Sequence, residues 1–124
     1  MKNIVFLSNN KKRTLLHEFC VAYKSLLSQH SLFATFEDAM FLETMGLSFT
    51  PLLSASVGGY RQVISKIQCK EFDLVFFFRG TYCFEEDSPV DFEILKMCDY
   101  CNIPVATNLL TAEILLRSLE MNIF

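Results

Sequence analysis

The sequence predicts an α/β fold, a doubly wound sheet of five parallel strands with helices on both faces. Apolar runs of strand length alternate with segments that have a helical apolar face, and the connections between them are short. The stretch Asn102-Ile-Pro-Val-Ala-Thr-Asn108 is a short apolar run that ends in polar residues between two helical patterns. Ligands of parallel sheets bind beyond the carboxyl ends of the strands. Thr107 and Asn108 are therefore predicted to lie at a ligand-binding edge.

The first half of the chain provides three strands and two helices. The predicted strands are residues 3–8, 31–35 and 49–53, and the predicted helices are residues 11–29 and 37–45. Asn10 is a suitable N-cap for the first helix, and Gly46 ends the second. Pro51 cannot donate a ladder hydrogen bond, so the third strand is predicted to lie at an edge of the sheet.

The second half repeats the alternation. The predicted strands are residues 73–78 and 102–108. Helices are predicted to open at Gly58-Gly59, at Ser88-Pro89 with Ser88 as the N-cap, and at Thr111, which can serve as an N-cap. Residues 73–78 are the most hydrophobic strand and are predicted to be interior. The segment 79–88 has no periodicity and carries Glu85, Glu86 and Asp87. It leaves the carboxyl end of an interior strand, where functional loops lie in this architecture.

Composition predicts one cytoplasmic domain, residues 1–124. The net charge of -3 and the absence of a basic stripe argue against nucleic acid as a partner. No apolar run approaches the roughly 20 residues that a membrane span needs. The 5 cysteines are an odd number scattered among core-like positions, which favours a reducing compartment over a disulfide framework.

Three segments resemble motifs of the methylglyoxal synthase family, in the same order. Leu53-Ser54 and Gly58-Gly59-Tyr60-Arg61-Gln62-Val63 are similar to its Leu-Ser-Gly and Gly-Gly-Asp-Gln-Gln-Val pieces. Residues 73–78 resemble its Asp-Val-Leu-Ile-Phe-Phe strand, and residues 102–108 carry its Asn-Ile-Pro-Val-Ala-Thr-Asn. The resemblance covers nearly the whole chain. It implies a doubly wound five-stranded sheet, usually assembled as a hexamer, and conversion of dihydroxyacetone phosphate into methylglyoxal and phosphate.

The acid–base positions that the resemblance implies carry other residues here. The base of the family falls at Tyr60, whose ordinary pKa of about 10 makes it a poor base at neutral pH. The family's first histidine falls at Asn9, and the carboxylate after the central strand falls at Gly80. Its electrophilic histidine falls at Asp87 and a further aspartate falls at Val90. Because each such group typically contributes about 10²–10⁴ in rate, the pattern predicts degraded catalysis.

The phosphate clamp that the resemblance implies is partly kept. Arg13, Thr35 and Ser54 stand where the family has its cation and hydroxyl donors, but Glu37 and Asp38 replace threonines at a helix N-terminus. Two unit charges about 4 Å apart interact with about 4 kcal/mol at an effective dielectric constant near 20. One carboxylate would cancel the charge of Arg13 and the second would repel an anion. Phosphate and dihydroxyacetone phosphate are therefore expected to bind no tighter than millimolar. The rest of the predicted cleft is Asn9, Gly58, Gly59, Gly80 and Asn108.

Several other residues invite a functional interpretation. Cys98-Asp-Tyr-Cys101 has the spacing of a metal or redox pair, but its apolar neighbours and the lack of a second pair favour core packing. His17 falls off the apolar face of its helix and is predicted to be solvated. His30 follows a helix end, where the dipole favours a cation. Relative to the family, the sequence is about a helix short and lacks a C-terminal arginine that helps to gate the site.

Two functional hypotheses follow. The first is a non-catalytic module that binds a small phosphorylated metabolite or another small anion, or that serves as an assembly subunit. The second is an active synthase whose acid–base residues have moved to Asp87, Glu37 or Asp38. Neither hypothesis requires a cofactor or a metal. The 13 phenylalanines predict apolar surface beyond one small core, and hence a homo-oligomer, either a hexamer or a trimer.

Overall fold

The structure, a computed structural model, describes residues 1–9, 12–79 and 89–123 and has the predicted α/β class. The strands are β1 (Asn3–Ser8), β2 (Ser31–Thr35), β3 (Phe49–Leu52), β4 (Leu74–Phe78) and β5 (Val105–Ala106). The helices are α1 (Arg13–Ala22), α2 (Lys24–Leu27), α3 (Phe36–Thr44), α4 (Gly59–Gln68), α5 (Pro89–Cys101) and α6 (Leu109–Glu120). A 3₁₀ turn at Ala55–Val57 precedes α4.

The five strands form one parallel sheet in the order β3-β2-β1-β4-β5. Val5 in β1 pairs with Phe33 of β2 on one side and with Val75 of β4 on the other. The chain winds outward from β1 in one direction and then from β4 in the other. The topological switch point, where doubly wound proteins bind ligands, therefore lies between β1 and β4. Pro51 lies in β3 at an edge, as predicted.

Hydrophobic side chains cover both faces of the sheet. All residues of β4 are buried, because Phe76 and Phe78 face one layer of helices while Val75 and Phe77 face the other. The Phe76 ring stacks on Phe6, with ring centroids 4.8 Å apart. Full burial of a large apolar side chain contributes about 1.5–3 kcal/mol, so this doubly covered strand stabilises the sheet strongly. The prediction that residues 73–78 form an interior strand is confirmed.

Local details of three helices differ from the prediction. The single helix expected over residues 11–29 is two helices, because the backbone of Tyr23 (φ -107°, ψ 25°) leaves the α-helical region. Asn108, not Thr111, is the N-cap of α6, and its side-chain oxygen accepts the Thr111 N–H at 3.0 Å. The predicted caps Asn10 and Ser88 lie outside the described residues. Within the described ranges, no helix is long and apolar enough to cross a membrane.

Candidate functional site

The predicted phosphate-binding residues lie at the carboxyl ends of β1, β2 and β3. Arg13 begins α1 after β1, Thr35 ends β2, and Ser54 follows β3. Parallel strands bring these ends to one edge of the sheet, which is why residues far apart in sequence can share a site. Helix α3 begins at the same edge, directly after Thr35, with Glu37 and Asp38 in its first turn.

Asp38 binds two of the three predicted phosphate donors. Its Oδ1 accepts the Arg13 Nε–H at 2.8 Å, and its Oδ2 accepts the Thr35 hydroxyl at 3.3 Å. The residue is only 2% exposed. A buried carboxylate is stable only where hydrogen bonds and opposite charge compensate its lost hydration. Arg13 and the Thr35 hydroxyl therefore bind a carboxylate of the protein itself.

Glu37 binds the third predicted donor. The Ser54 hydroxyl donates to Glu37 Oε1, and it also lies 3.0 Å from the Ser56 hydroxyl. Arg13, Thr35 and Ser54 are thus all in contact with carboxylates of one helical turn. The two acids also place negative charge at the N-terminus of α3, where the helix dipole favours it and where an anion would otherwise bind.

His17 is part of this cluster, and the prediction that it is solvated is wrong. Its Nε2 lies 2.9 Å from Asp38 Oδ1, and its side chain is only 14% exposed. Its ring stacks on Phe41 of α3, with centroids 4.3 Å apart. Helical periodicity failed here because it describes packing beneath α1 but not contacts with α3. The spacing of Arg13 and His17, one helical turn apart, is the signal that could have placed both on one face.

Tyr60 stands at the family's base position and is held as a hydrogen-bond donor. Its hydroxyl donates to the Ser8 carbonyl oxygen at 2.7 Å. Burial, followed by the negative charges of Asp91 and Asp38, raises the pKa of Tyr60 above its ordinary value of 10.0. A phenol that donates to a backbone carbonyl and ionises only at higher pH cannot accept a proton near neutrality.

The glycines of the cleft shape its backbone. Gly58 adopts a left-handed conformation (φ 100°) that favours glycine. A Cβ at Gly59 would collide with the Leu53 carbonyl oxygen, so the chain before α4 can approach only a glycine. The Leu53 N–H donates to Gln62 Oε1 at 2.7 Å, which fixes Ser54 beside this turn.

The remaining predicted cleft residues have structural contacts or lie outside the described part of the chain. Asn9 Oδ1 accepts the Lys12 N–H at 3.2 Å and so shapes the entry to α1. Asn108 caps α6. Gly80 and Asp87, the latter being the candidate relocated catalytic residue, lie outside the described residues.

Three other candidates lie away from this cluster. Cys98 packs in the apolar layer beneath α5, where burial is the main factor that raises the pKa of its thiol to about 12, and Cys101 packs against that layer. Among the described residues, no three metal-ligating side chains come together. The expectation of a cationic His30 is wrong: its Nδ1 accepts the Lys2 N–H at 3.0 Å. Burial, the N-terminal amine and Lys2 lower its pKa, in that order.

The geometry defines a doubly wound α/β protein whose carboxyl edge gathers one cation and two hydroxyls of the kind that bind small anions. Methylglyoxal synthase of Listeria welshimeri is 37% identical to this chain over 119 residues, covering 95% of this chain and 89% of the relative. Methylglyoxal synthase of Caldicellulosiruptor saccharolyticus is 36% identical over 119 residues, with 95% and 84% covered. The chain belongs to the methylglyoxal synthase family.

A solved structure supports the fold assignment. The crystal structure of methylglyoxal synthase from Elizabethkingia anophelis superposes with a TM-score of 0.81 at 24% identity, covering 93% of this chain and 76% of that one. No family model matches the chain.

Proposed function

We propose that this chain is a catalytically degraded member of the methylglyoxal synthase family, which acts as a binding or assembly module and not as a lyase. The observation that carries the proposal is the engagement of Asp38. Its buried carboxylate accepts from Arg13, His17 and Thr35, which would otherwise be available to a phosphate group.

Phosphate would have to compete with this internal anion. The protein carboxylate is part of the fold, so its binding costs no loss of translational freedom, whereas a free ligand pays that cost. A second carboxylate, Glu37, occupies Ser54 at the same helix end. Displacing either acid would leave a negative charge beside the incoming dianion. The predicted phosphate site, formed by Arg13, Thr35 and Ser54, is therefore expected to bind phosphate weakly.

The loss of the base supports the same conclusion. Proton abstraction from the substrate carbon needs a group that is basic near the working pH. Tyr60 is held as a donor to Ser8, and its pKa is raised. Asn9, at a family histidine position, is used by the turn before α1. Neither residue offers a proton acceptor of suitable basicity.

The alternative is an active synthase with relocated acid–base groups. Glu37 and Asp38 are poor candidates because both are already bound to donors of the site. Asp87, the other candidate for a relocated acid–base residue, lies outside the described residues. The activity test must therefore include this position.

An assembly role is supported by the surface of α3. Phe36, Met40, Phe41 and Met45 are between 37% and 50% exposed, although all four are apolar. Apolar surface gathered on one helix is typical of association sites. We propose that the chain forms a homo-oligomer, a hexamer or a trimer.

The test is formation of methylglyoxal from dihydroxyacetone phosphate at high protein concentration. The Listeria welshimeri relative is the positive control, and Asp87→Asn and Asp38→Asn are the matched variants. The proposal expects no methylglyoxal above the protein-free background. Methylglyoxal formation that is lost in Asp87→Asn or Asp38→Asn would overturn it and establish the relocated-base alternative.

A further inference from the structure

Three helices form one outer face of the protein. Helices α1, α3 and α6 pack on the same side of the sheet, because their buried residues belong to one apolar layer together with residues of β1 and β4. One groove runs between α1 and α3 and another runs between α1 and α6, and Glu18 and Ala22 of α1 line both. The three helices and the two grooves therefore form one continuous surface, which we call the helical face.

The groove between α1 and α3 is lined mainly by apolar side chains and has a volume of about 550 Å³. Val21 and Ala22 line it on the α1 side, and Phe41 and Met45 line it on the α3 side. Val21, Phe41 and Met45 are exposed, and apolar surface gathered in this way is typical of association sites. Glu18 also lines the groove, and within the described part of the chain no hydrogen bond or ion pair holds its carboxylate.

Helix α6 carries an exposed apolar stripe on the side that faces away from the sheet. Leu110, Ile114 and Met121 recur at helical spacing and are between 57% and 71% exposed, while the buried residues of the helix lie on the opposite side. Arg117 lies on the same stripe. Its ion pair with Glu120 is exposed at both ends, so the pair contributes little and the guanidinium is available to a partner.

The groove and the stripe are complementary. The groove offers apolar walls and the carboxylate of Glu18, whereas the stripe offers apolar side chains and the guanidinium of Arg117. A second copy of the chain supplies both. A stable interface buries roughly 800 Å² on each partner, whereas the 12 residues of α6 form a helix only about 18 Å long and about 10 Å wide. The interface therefore needs all three helices of the face.

We propose that the helical face binds the helical face of a second copy. The α6 stripe of each copy lies in the α1/α3 groove of the other, and Arg117 of each copy pairs with Glu18 of the other. Because groove and stripe lie on the same face, the rotation that turns one face against another is a half-turn about an axis within that face. Such an isologous contact forms both groove–stripe pairs at once.

This symmetry distinguishes the two proposed assemblies. A hexamer built from two trimers contains two-fold contacts, whereas a single three-membered ring contains none. The inference rests on the proposed assembly role and deepens it, because it selects the hexamer over the trimer and names the surface that joins its two halves.

The first experiment is size-exclusion chromatography with light scattering at micromolar concentration, on the wild type and on Ile114→Arg. Ile114 is exposed, so the change places a charge in the interface without entering the core. Tyr100→Arg is the matched control, since Tyr100 is exposed on α5, which packs on the opposite side of the sheet. We expect the wild type and Tyr100→Arg to be hexamers and Ile114→Arg to be a trimer. The dissociation constant of the two-fold contact should rise about tenfold or more.

A charge exchange tests the ion pair. Glu18→Arg and Arg117→Glu should each weaken the hexamer, because each places like charges opposite one another. The combined variant, Glu18→Arg with Arg117→Glu, should recover the hexamer. Recovery is specific to direct pairing of these two positions between copies, since a merely structural effect of either change would persist in the combined variant.

The outcomes separate this inference from the proposed assembly. A trimeric wild type, an unchanged mass for Ile114→Arg, or an equal loss in Tyr100→Arg would overturn the inference and leave the homo-oligomer intact. Dissociation of Ile114→Arg into dimers would overturn it too, because the stripe would then belong to the three-fold contact. Failure of the combined charge variant to recover would overturn the pairing of Glu18 with Arg117. A monomeric wild type would overturn both the inference and the proposed assembly.

Discussion

Replacing Asp38 with alanine is expected to destabilise the fold and to free the donors of the proposed anion site. The change leaves His17 and Thr35 without their acceptor while both remain largely buried. A hydrogen bond to a buried charged group contributes about 1.5–3 kcal/mol. The Arg13 side chain is 41% exposed, so its pair with Asp38 adds only about 0.2–1 kcal/mol after solvent screening. The expected loss in unfolding free energy is about 2–4 kcal/mol.

Inorganic phosphate should restore part of this stability in the variant, because it can accept from the donors that Asp38 leaves. A ligand at 100 times its dissociation constant stabilises the folded state by about 2.7 kcal/mol. The assay is thermal unfolding followed by circular dichroism, with and without phosphate at constant ionic strength. The loss alone should lower Tm on the order of 10 °C for a domain of this size.

The matched control for this experiment is Glu43→Ala, which removes an exposed carboxylate from the same helix. It should leave both Tm and the phosphate response as in the wild type. Unfolding of Asp38→Ala at the wild-type temperature would show that the hydrogen bonds of Asp38 do not stabilise the fold. An equal shift in Tm on addition of phosphate to the wild type, Asp38→Ala and Glu43→Ala would show that the Asp38→Ala variant has no new anion site.

Three further predictions follow from other contacts. Tyr60→Phe removes the hydrogen bond to the Ser8 carbonyl and should cost about 1 kcal/mol in chemical denaturation; an unchanged unfolding free energy would contradict the contact. The pKa of His30 is lowered from 6.5, so the unfolded chain binds a proton first as pH falls. Stability should therefore be lost as pH falls below about 6.5 and through the lower folded pKa. His30→Gln should lose less stability over this pH range, and parallel pH profiles of the two proteins would contradict the role of His30. Light scattering at micromolar concentration should give the mass of a trimer or hexamer, and a sharp monomeric mass would exclude the proposed assembly.

The fold could be predicted from sequence because each element carries its own signal. The apolar run of β4 and the apolar faces of the helices can be recognised from residues that are close together in sequence. Pro51 by itself indicates an edge strand. The differences are local: the backbone of Tyr23 divides one expected helix into two, and β5 (Val105–Ala106) is shorter than the predicted strand over residues 102–108. A periodic pattern reports which face is buried but does not report a local change in ψ.

The site was harder to predict because its contacts join different elements. The resemblance to a family placed Arg13, Thr35 and Asp38 at one edge, and the structure joins them through hydrogen bonds. His17 was missed because its partner lies on α3, and no pattern within α1 contains that information. Asn108 was predicted in the cleft, but its side chain caps α6, a local hydrogen bond that asparagine forms readily at this position.

We propose that Glu37 and Asp38 occupy the predicted phosphate site. Calorimetric titration of the wild type and of Glu37→Thr with Asp38→Thr, using inorganic phosphate at low salt, tests it most directly. Millimolar or weaker binding is expected in the wild type, with tighter binding in the double variant and loss of that gain when Arg13→Gln is added. Micromolar binding by the wild type, or an unchanged affinity in the double variant, would contradict it.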